Sequence, residues 1–285
     1  MNLRKIQSGV LALLLLALGT VYVAPAVAQK PAARPFEPGE ELTYKAEVSR
    51  SLLKKLDVAT FRFVVEETAS PANAHSSSVA AGQSLKFIGD VASEGFFTKL
   101  FNLKFHQHVE STVNPESLVV QKTVKLDEQG KRVRTSEATF DQKTGKVIWT
   151  ERDPNNPSRP ERTLTADFEG SVQDIVSAVY YLRTQKLEPG TSFEMEISDS
   201  GRVYKVPARV IEKKQMKTVL GKIDAVHVKP ELFGEHGLVN TKGQLSLWLT
   251  DDHRHIPVKA QLKGDYGTFD ITLKQVSRAR FRVND

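Results

Sequence analysis

The stretch LTYKAEVS at residues 42–49 alternates strictly between apolar and polar side chains. Successive side chains of a β-strand point to opposite faces, so this pattern is typical of an antiparallel strand buried on one face only. The stretch FRFVVE at residues 61–66 repeats the alternation, with Phe61, Phe63 and Val65 on one face. The two stretches predict a sheet with one buried and one solvated face.

Similar segments follow along the rest of the chain and favour an all-β fold. Glycine-containing turns at residues 127–130 and 141–145 separate some of them, as expected for hairpins. The proline-rich loop at residues 153–160 divides them into two halves of one domain, or into two domains. Pro207 places its strand at a sheet edge or beside a bulge. The further predicted strands are Val79–Ile88, Leu103–Val113, Leu118–Leu126, Arg132–Phe140, Lys146–Glu151, Phe193–Ile197, Val203–Ile211, Lys222–Val228, Gly243–Leu249, Ile256–Leu262 and Thr268–Val276.

One stretch carries the signals of an amphipathic helix, from Ser171 to Arg183. Ser171, followed by Asp174 three residues later, resembles a capping box, and LEPG at residues 187–190 ends the helical pattern. The apolar residues at helical spacing are Val172, Ile175, Val176, Val179 and Leu182. We expect this helix to plug the concave side of a curved antiparallel sheet or open barrel.

A second stretch, Asp90 to Phe101, is compatible with a helix but contains Gly95. It belongs to an aromatic cluster that is either part of the core or the rim of a cavity covered by a flap. The members of that cluster are Phe87, Phe96, Phe97, Phe101 and Phe105.

The first 28 residues have the features of a secretory signal peptide. Arg4 and Lys5 precede an apolar run, and Ala26-Val27-Ala28 provides a signal-peptidase site. The alternative is a retained anchor, but the run is shorter than the roughly 20 residues that a spanning helix needs. We therefore expect cleavage after Ala28 and a periplasmic or secreted protein, with a linker at residues 29–40 and one β-rich domain at residues 41–285.

Composition narrows the possible functions. The sequence has no cysteine, which excludes disulfides, thiol catalysis and thiolate metal sites. The net charge of +6 includes Arg4 and Lys5, so the mature chain carries about +4. In the cell envelope this small excess fits a solvated basic surface, or contact with lipid headgroups, lipopolysaccharide or acidic glycans. We expect no nucleic-acid partner and no cofactor.

Two polar clusters could bind a metal ion or act in acid–base catalysis. Residues 251–255 read Asp-Asp-His-Arg-His, but they lie between two predicted strands, where a polar hairpin turn is expected. His106 and His108 share one face of a strand, so they could meet one ion or point into solvent. The sequence contains no GxSxG nucleophile motif and no glycine-rich GxxxxGK phosphate loop.

Three ordered stretches resemble a bacterial envelope family known as domain of unknown function 3108. They are FEPGEELTY at residues 36–44, QDIVSAVYYLR at residues 173–183, and LWLTDD at residues 247–252 with IPV at residues 256–258. The resemblance implies an exported β-rich protein but no particular activity. Proteins of this shape also look like half-barrel carriers of lipids or lipoproteins, although architecture does not fix function.

The leading hypothesis is a non-enzymatic envelope protein that binds an apolar or amphipathic ligand in a concave sheet. Basic residues on the last strands, Lys259 and Lys263 among them, would face the polar end of the ligand. The alternatives are a scaffold whose edge strands pair with envelope partners and a metal-assisted hydrolase built on residues 251–255. Oligomeric state is not predicted, and contact with a membrane surface is compatible with the charge. The predicted ligand-binding residues are Tyr44, Phe61, Phe63, Phe96, Phe97, Ile175, Val179, Arg278, Arg280 and Arg282.

Overall fold

Fifteen strands and the helix α1 make up the structure, a computed structural model that describes residues 34–50, 53–69, 83–94, 98, 104–265 and 267–278. In these ranges, no helix is long and apolar enough to cross a membrane. The helix α1 spans Ile175–Arg183. The strands are β1 (Glu40–Arg50), β2 (Leu53–Ala69), β3 (Gln83–Ser93), β4 (Phe105–Val113), β5 (Val120–Gln129), β6 (Arg132–Asp141), β7 (Lys146–Arg152), β8 (Arg162–Asp167), β9 (Val172–Gln173), β10 (Ser192–Asp199), β11 (Arg202–Thr218), β12 (Gly221–Pro230), β13 (Gly243–Thr250), β14 (Pro257–Gly264) and β15 (Gly267–Arg278).

All of these strands belong to one sheet, in the order β8-β7-β6-β5-β4-β3-β2-β1-β15-β14-β13-β12-β11-β10-β9. Neighbours are antiparallel except for a short parallel bridge between β9 and β10. The first strand, β1, pairs with both β2 and the last strand, β15. The strands before and after the loop at residues 153–160 therefore continue one sheet, and the all-β prediction is confirmed.

The alternation that predicted β1 corresponds to burial in the structure. Leu42, Tyr44, Ala46 and Val48 are buried, while the polar residues between them are partly exposed. Tyr44 lies opposite Phe61 of β2 and fixes the register of the two strands on the buried face. The sequence pattern therefore identified the inner face of the sheet correctly in this region.

Some elements differ from the predictions. The short strands β8 and β9 were not predicted, and the start of the second candidate helix, residues 90–93, is the end of β3. Most of the remainder of that stretch lies outside the described residues, and Thr98 within it is helical. Pro207 lies in an inner strand but beyond the paired part of β12, and the nearest bulge follows Val210. The predicted signal peptide at residues 1–28, and the linker up to residue 33, lie outside the described residues.

The N-cap of the helix lies three residues later than predicted. Asp174, not Ser171, is the N-cap, because its Oδ1 accepts hydrogen bonds from the backbone N–H groups of Val176 (2.9 Å) and Ser177 (2.8 Å). The Ser177 hydroxyl accepts the Asp174 N–H in return and completes a capping box. Val172, which the helical pattern had included, instead pairs with β10.

The sheet curves around α1, which lies on its concave face. A Cβ atom added at Gly89 of β3 would lie 2.7 Å from Val176 Cγ2, so the helix approaches the strand too closely for any larger residue. Tyr180 stacks on Phe87 with ring centroids 4.0 Å apart. At the other end of the sheet, Leu164 of the edge strand β8 packs against Gly201, next to β11. The sheet therefore nearly surrounds the helix without closing into a barrel.

A buried ion pair fixes the C-terminal end of α1. The side chain of Arg183 is 0% exposed and that of Glu40 is 4% exposed. Arg183 donates to both oxygens of Glu40, at 2.5 and 3.1 Å, and to the carbonyl oxygens of Pro35 and Arg254. Arg254 also donates to Glu40 at 2.8 Å, and His255 Nδ1 lies 2.9 Å from the Arg183 carbonyl. The guanidinium is thus held bidentately and its charge is compensated.

This ion pair lies where the three family-like stretches meet. Residues 36–44 provide Glu40, residues 173–183 provide Arg183, and the turn within residues 247–258 provides Arg254. The ring of Phe36 packs edge-on against Tyr180 with centroids 5.2 Å apart. The three stretches therefore have a shared structural role, which is to anchor the helix inside the sheet.

Candidate functional site

Between α1 and the sheet lies an apolar cavity of about 230 Å³, which we call the apolar lobe. It is lined by α1, by β1, β2, β10 and β12–β15, and by the loop between β12 and β13. Among the described residues that line it, Lys259 is the only charged one, and its ammonium is bound to Asp270 at 2.7 Å. The hydroxyl of Tyr44 donates to the Pro257 carbonyl at 2.8 Å, so this hydroxyl is already hydrogen-bonded within the protein. Burial raises the pKa of Tyr44, which therefore stays neutral.

A second space of about 190 Å³, the polar lobe, continues past the N-terminal end of α1. It is lined by β2–β7, by α1 and by the end of β10 with the turn that follows. Apolar residues such as Trp149 and Phe140 line one part, and polar residues such as Lys125, Ser136 and Asp199 line another. The residues that border both lobes are Phe61, Phe63, Ile175 and Val179. The two lobes are therefore adjacent parts of one amphipathic interior.

Ile175 shows that the described residues leave this interior partly unfilled. It is 44% exposed although it lies on the concave side of the sheet, while its neighbour Val176 is 4% exposed. The reason is that Ile175 projects into the two lobes, whereas Val176 packs on Gly89. An apolar side chain that is exposed inside a fold marks a surface that a ligand could cover.

The structure brings together five of the predicted ligand-binding residues. Tyr44 borders the apolar lobe, and Phe61, Phe63, Ile175 and Val179 border both lobes. Their role in binding a ligand stays a prediction.

The other predicted ligand-binding residues lie elsewhere. Phe96, Phe97, Arg280 and Arg282 lie outside the described residues. Arg278 forms an ion pair with Glu37 and does not line either lobe; both of these side chains are well exposed. Arg278 therefore does not face the polar end of this interior.

Sequence reasoning missed Lys125, the cation of the polar lobe. Its side chain is 22% exposed, and its ammonium lies 3.6 Å from Asp199 Oδ1. On the sheet it lies between Val109 and Ser136, on the concave face. Unbroken alternation from the buried Val120 would place Val124 rather than Lys125 on that face, but Val124 is 40% exposed. A bulge in β5 opposite Thr112 and Val113 shifts the register by one residue and exchanges the two faces.

The histidine pair on β4 is engaged by carboxylates on the outer face. His108 Nδ1 lies 2.6 Å from Asp90 and its Nε2 lies 3.2 Å from Glu110, while His106 Nδ1 lies 2.8 Å from Glu128. Partial burial by itself lowers the pKa of His108, but the hydrogen bonds to Asp90 and Glu110 outweigh it and raise the pKa above its ordinary value. No group of three potential ligands in the described part of the chain could hold a metal ion.

Residues 251–255 form a tight turn between β13 and β14. Asp252 Oδ1 accepts hydrogen bonds from the backbone of Arg254 and His255 and from the Thr250 hydroxyl. Partial burial raises the pKa of Asp252, but these hydrogen bonds outweigh it and leave the pKa below its usual value. Asp251 pairs with Lys213 at 2.9 Å. The side chains of this turn therefore serve its geometry and the anchoring of Arg183.

A second aromatic group lies away from both lobes. His227 of β12 stacks on Trp248 of β13 with ring centroids 4.7 Å apart. The Lys214 ammonium lies 4.9 Å from the Trp248 ring centroid, and that of Lys259 lies 5.6 Å from it. Burial, together with the charges of Lys229 and Lys214, lowers the pKa of His227. His227 and Trp248 line neither lobe, and they form a packed cation–π cluster with Lys214 and Lys259, of which only Lys259 also borders the apolar lobe.

Comparison with known proteins places the chain among families without an assigned activity. Residues 41–274 match the family described as Protein of unknown function (DUF3108). No curated protein matches the sequence. The solved β-barrel-like protein of domain of unknown function DUF1849 from Brucella abortus is 12% identical, with a TM-score of 0.52 over 84% of this chain and 97% of that chain. At this identity the likeness shows a shared fold alone.

Two further solved structures are more distant. One is a candidate lipoprotein from Parabacteroides distasonis, 9% identical, with a TM-score of 0.31 over 85% of this chain and 96% of that chain. The other is a candidate exported protein with a YmcC-like fold from Bacteroides fragilis, 6% identical, with a TM-score of 0.31 over 86% of this chain and 98% of that chain. Likeness at this level carries no argument about the function of this chain.

Proposed function

The chain belongs to the family of proteins of unknown function DUF3108, and from this premise we propose that it is an exported, non-enzymatic envelope protein that binds an apolar or amphipathic ligand. The ligand would lie between α1 and the concave face of the sheet. Its class would be a lipid, a glycolipid or the acyl part of a lipoprotein. Removal of residues 1–28 would leave the mature protein in the periplasm.

The observation that carries this proposal is the unfilled apolar lobe with Ile175 exposed inside it. Protein interiors are normally packed about as densely as organic crystals, so a lobe of about 230 Å³ is a departure from ordinary packing. A dry cavity of about 150 Å³ can hold one benzene molecule. By that scale the apolar lobe alone has room for roughly nine carbon atoms.

The energetics favour an acyl chain. Each methylene group moved from water into apolar surroundings contributes about 0.8 kcal/mol. Eight methylene groups would contribute roughly 6 kcal/mol, which is comparable to the lower estimates of the free energy lost when two molecules associate. Further contacts in the polar lobe would then supply the net affinity.

The cavity also weighs against the scaffold hypothesis, because a protein that acts only through its edge strands has no use for an unfilled interior. The hydrolase hypothesis is not supported either, because the side chains of Asp252, His255 and Asp251 are engaged by Thr250, the Arg183 carbonyl and Lys213 respectively. Ligand binding is therefore the function that the geometry supports best.

A cavity-blocking variant tests the proposal. Ile175→Trp would place an indole in both lobes, whereas Ile148→Trp makes the same change at a side chain that is 52% exposed. Wild-type protein purified from envelopes should carry an additional apolar mass in native mass spectrometry. Ile175→Trp should lose that mass, and Ile148→Trp should retain it. Retention of the mass by Ile175→Trp would show that the ligand lies elsewhere.

A second measurement tests for a ligand that the protein loses during purification. Addition of an envelope lipid extract to delipidated wild-type protein should raise its melting temperature, and Ile175→Trp should not respond. The proposal fails if wild-type protein is free of ligand and its melting temperature is unchanged by the extract.

A further inference from the structure

Lys125 occupies an unusual position for a lysine, since it borders a largely apolar interior. It is the only cation among the described residues that line the polar lobe. The bulge in β5 brings it to the concave face and turns Val124 outward, which reverses the expected burial of the two residues. A departure from the local pattern that places a charge inside a fold is expected at functional sites.

The charge of Lys125 is only weakly compensated. Its ammonium lies 3.6 Å from Asp199, longer than the 2.7–2.9 Å typical of a charge-assisted hydrogen bond. The other carboxylate of the lobe, Asp174, is occupied: Oδ1 caps α1, and Oδ2 accepts the Thr123 hydroxyl at 2.5 Å. Of the carboxylates on described residues of this lobe, Asp199 is therefore the only one that competes with an incoming anion for the Lys125 ammonium.

We propose that the ligand is a single-chain amphiphile with one anionic head group, which Lys125 binds in the polar lobe. The chain would extend past Ile175 and Val179 into the apolar lobe. This inference rests on the proposed function and specifies its ligand. Two lobes of about 190 and 230 Å³ have room for roughly eight and nine carbon atoms, which suits one acyl chain better than several.

Three probes of the same carbon-chain length distinguish an anionic, a neutral and a cationic head group: dodecanoate, 1-dodecanol and dodecylamine. Trp149 lines the polar lobe, and the sequence contains only one other tryptophan. Titration of the mature Trp248→Phe protein at pH 7.5, monitored by Trp149 fluorescence, would therefore report binding in this lobe. We expect dodecanoate to bind at least ~10-fold more tightly than the alcohol, and the amine to bind most weakly.

Charge variants assign the preference to Lys125. Lys125→Met should remove the preference for dodecanoate over the alcohol, and Lys125→Arg should keep it. Asp199→Asn should tighten dodecanoate binding, because it removes the competing carboxylate. Lys122→Met is the matched control, since Lys122 lies on the same strand and is bound to Glu137 at 2.9 Å on the outer face. Melting temperatures show whether each variant is folded.

The outcomes distinguish this inference from the proposed function. Equal binding of dodecanoate and the alcohol, or tighter binding of the amine, would overturn the inference and leave ligand binding intact. Absence of binding for all three probes would overturn the inference, and with the lipid-extract measurement also negative, the proposed function as well. A preference for dodecanoate that survives Lys125→Met would place the anion site elsewhere.

Discussion

The buried ion pair between Glu40 and Arg183 gives a sharp prediction about stability. Replacement of Glu40 by glutamine keeps the size of the side chain but removes the charge that compensates a guanidinium with 0% exposure. Removal of one partner of a buried pair costs about 3–5 kcal/mol, because the other charge stays buried and uncompensated. Glu40→Gln also weakens the hydrogen bond from Arg254. We therefore expect a loss in the free energy of unfolding within that range.

The matched control is Glu37→Gln, three residues earlier in the same segment. Glu37 pairs with Arg278, but their side chains are 64% and 75% exposed. Exposed pairs of this kind contribute about 0–1 kcal/mol, because water and salt screen the charges. The two substitutions make the same chemical change, so their difference reports the burial of the Glu40 site together with its second arginine partner, Arg254.

Thermal unfolding of the mature protein, followed by circular dichroism at pH 7, measures both variants. For a chain of this length, 1 kcal/mol corresponds to about 2–4 °C in melting temperature. We expect a decrease of roughly 10 °C for Glu40→Gln and at most a few degrees for Glu37→Gln. Arg183→Lys should not preserve stability, since an ammonium cannot bind Glu40 bidentately. Equal and small decreases in both glutamine variants would refute the argument that this pair anchors α1.

Three further predictions concern the fold. Because the pKa of His227 is lowered in the folded state, its contribution to stability is present above about pH 6.5 and is lost as the pH falls through the folded-state pKa. His227→Phe should therefore flatten the dependence of melting temperature on pH between 7.5 and 5. An unchanged slope would contradict this. Gly89→Ala should lower stability by about 1–3 kcal/mol through contact with Val176, whereas Gly264→Ala, with 3.6 Å of clearance, should not. Equal denaturation midpoints for these two variants would show that α1 shifts to accommodate the added methyl group. Asp174→Ala should cost about 1–2 kcal/mol through loss of the N-cap, and an unchanged urea midpoint would refute this.

The fold was largely predictable from local patterns. Alternation identified the buried face of β1, and glycine-containing turns marked the β5–β6 and β6–β7 hairpins. The start of α1 was not predictable, because Ser171 and Asp174 are both residue types that cap helices. Which of them is the N-cap depends on pairing between Val172 and β10. The strand β8 escaped prediction because most of its side chains are exposed and the apolar pattern is weak.

The candidate site was predictable only for its apolar part. Phe61, Phe63 and Ile175 carry periodic signals that place them on the inner face. Lys125 carries none, since a lysine on an alternating strand is expected to face solvent. Lys125 and Val124 exchange faces because of the bulge in β5. A bulge leaves no reliable trace in a single sequence, so this exchange could not be predicted.

By itself, then, the sequence determined the curved β-sheet, the amphipathic helix and the absence of thiol chemistry. These properties depend on composition and on the spacing of apolar residues along the chain. The tertiary structure alone decided that Glu40 meets Arg183, that β5 carries a lysine inward, and that the described residues leave space around Ile175. Each of these depends on the register between segments far apart in the chain, and register is set by the packing of the whole sheet around α1.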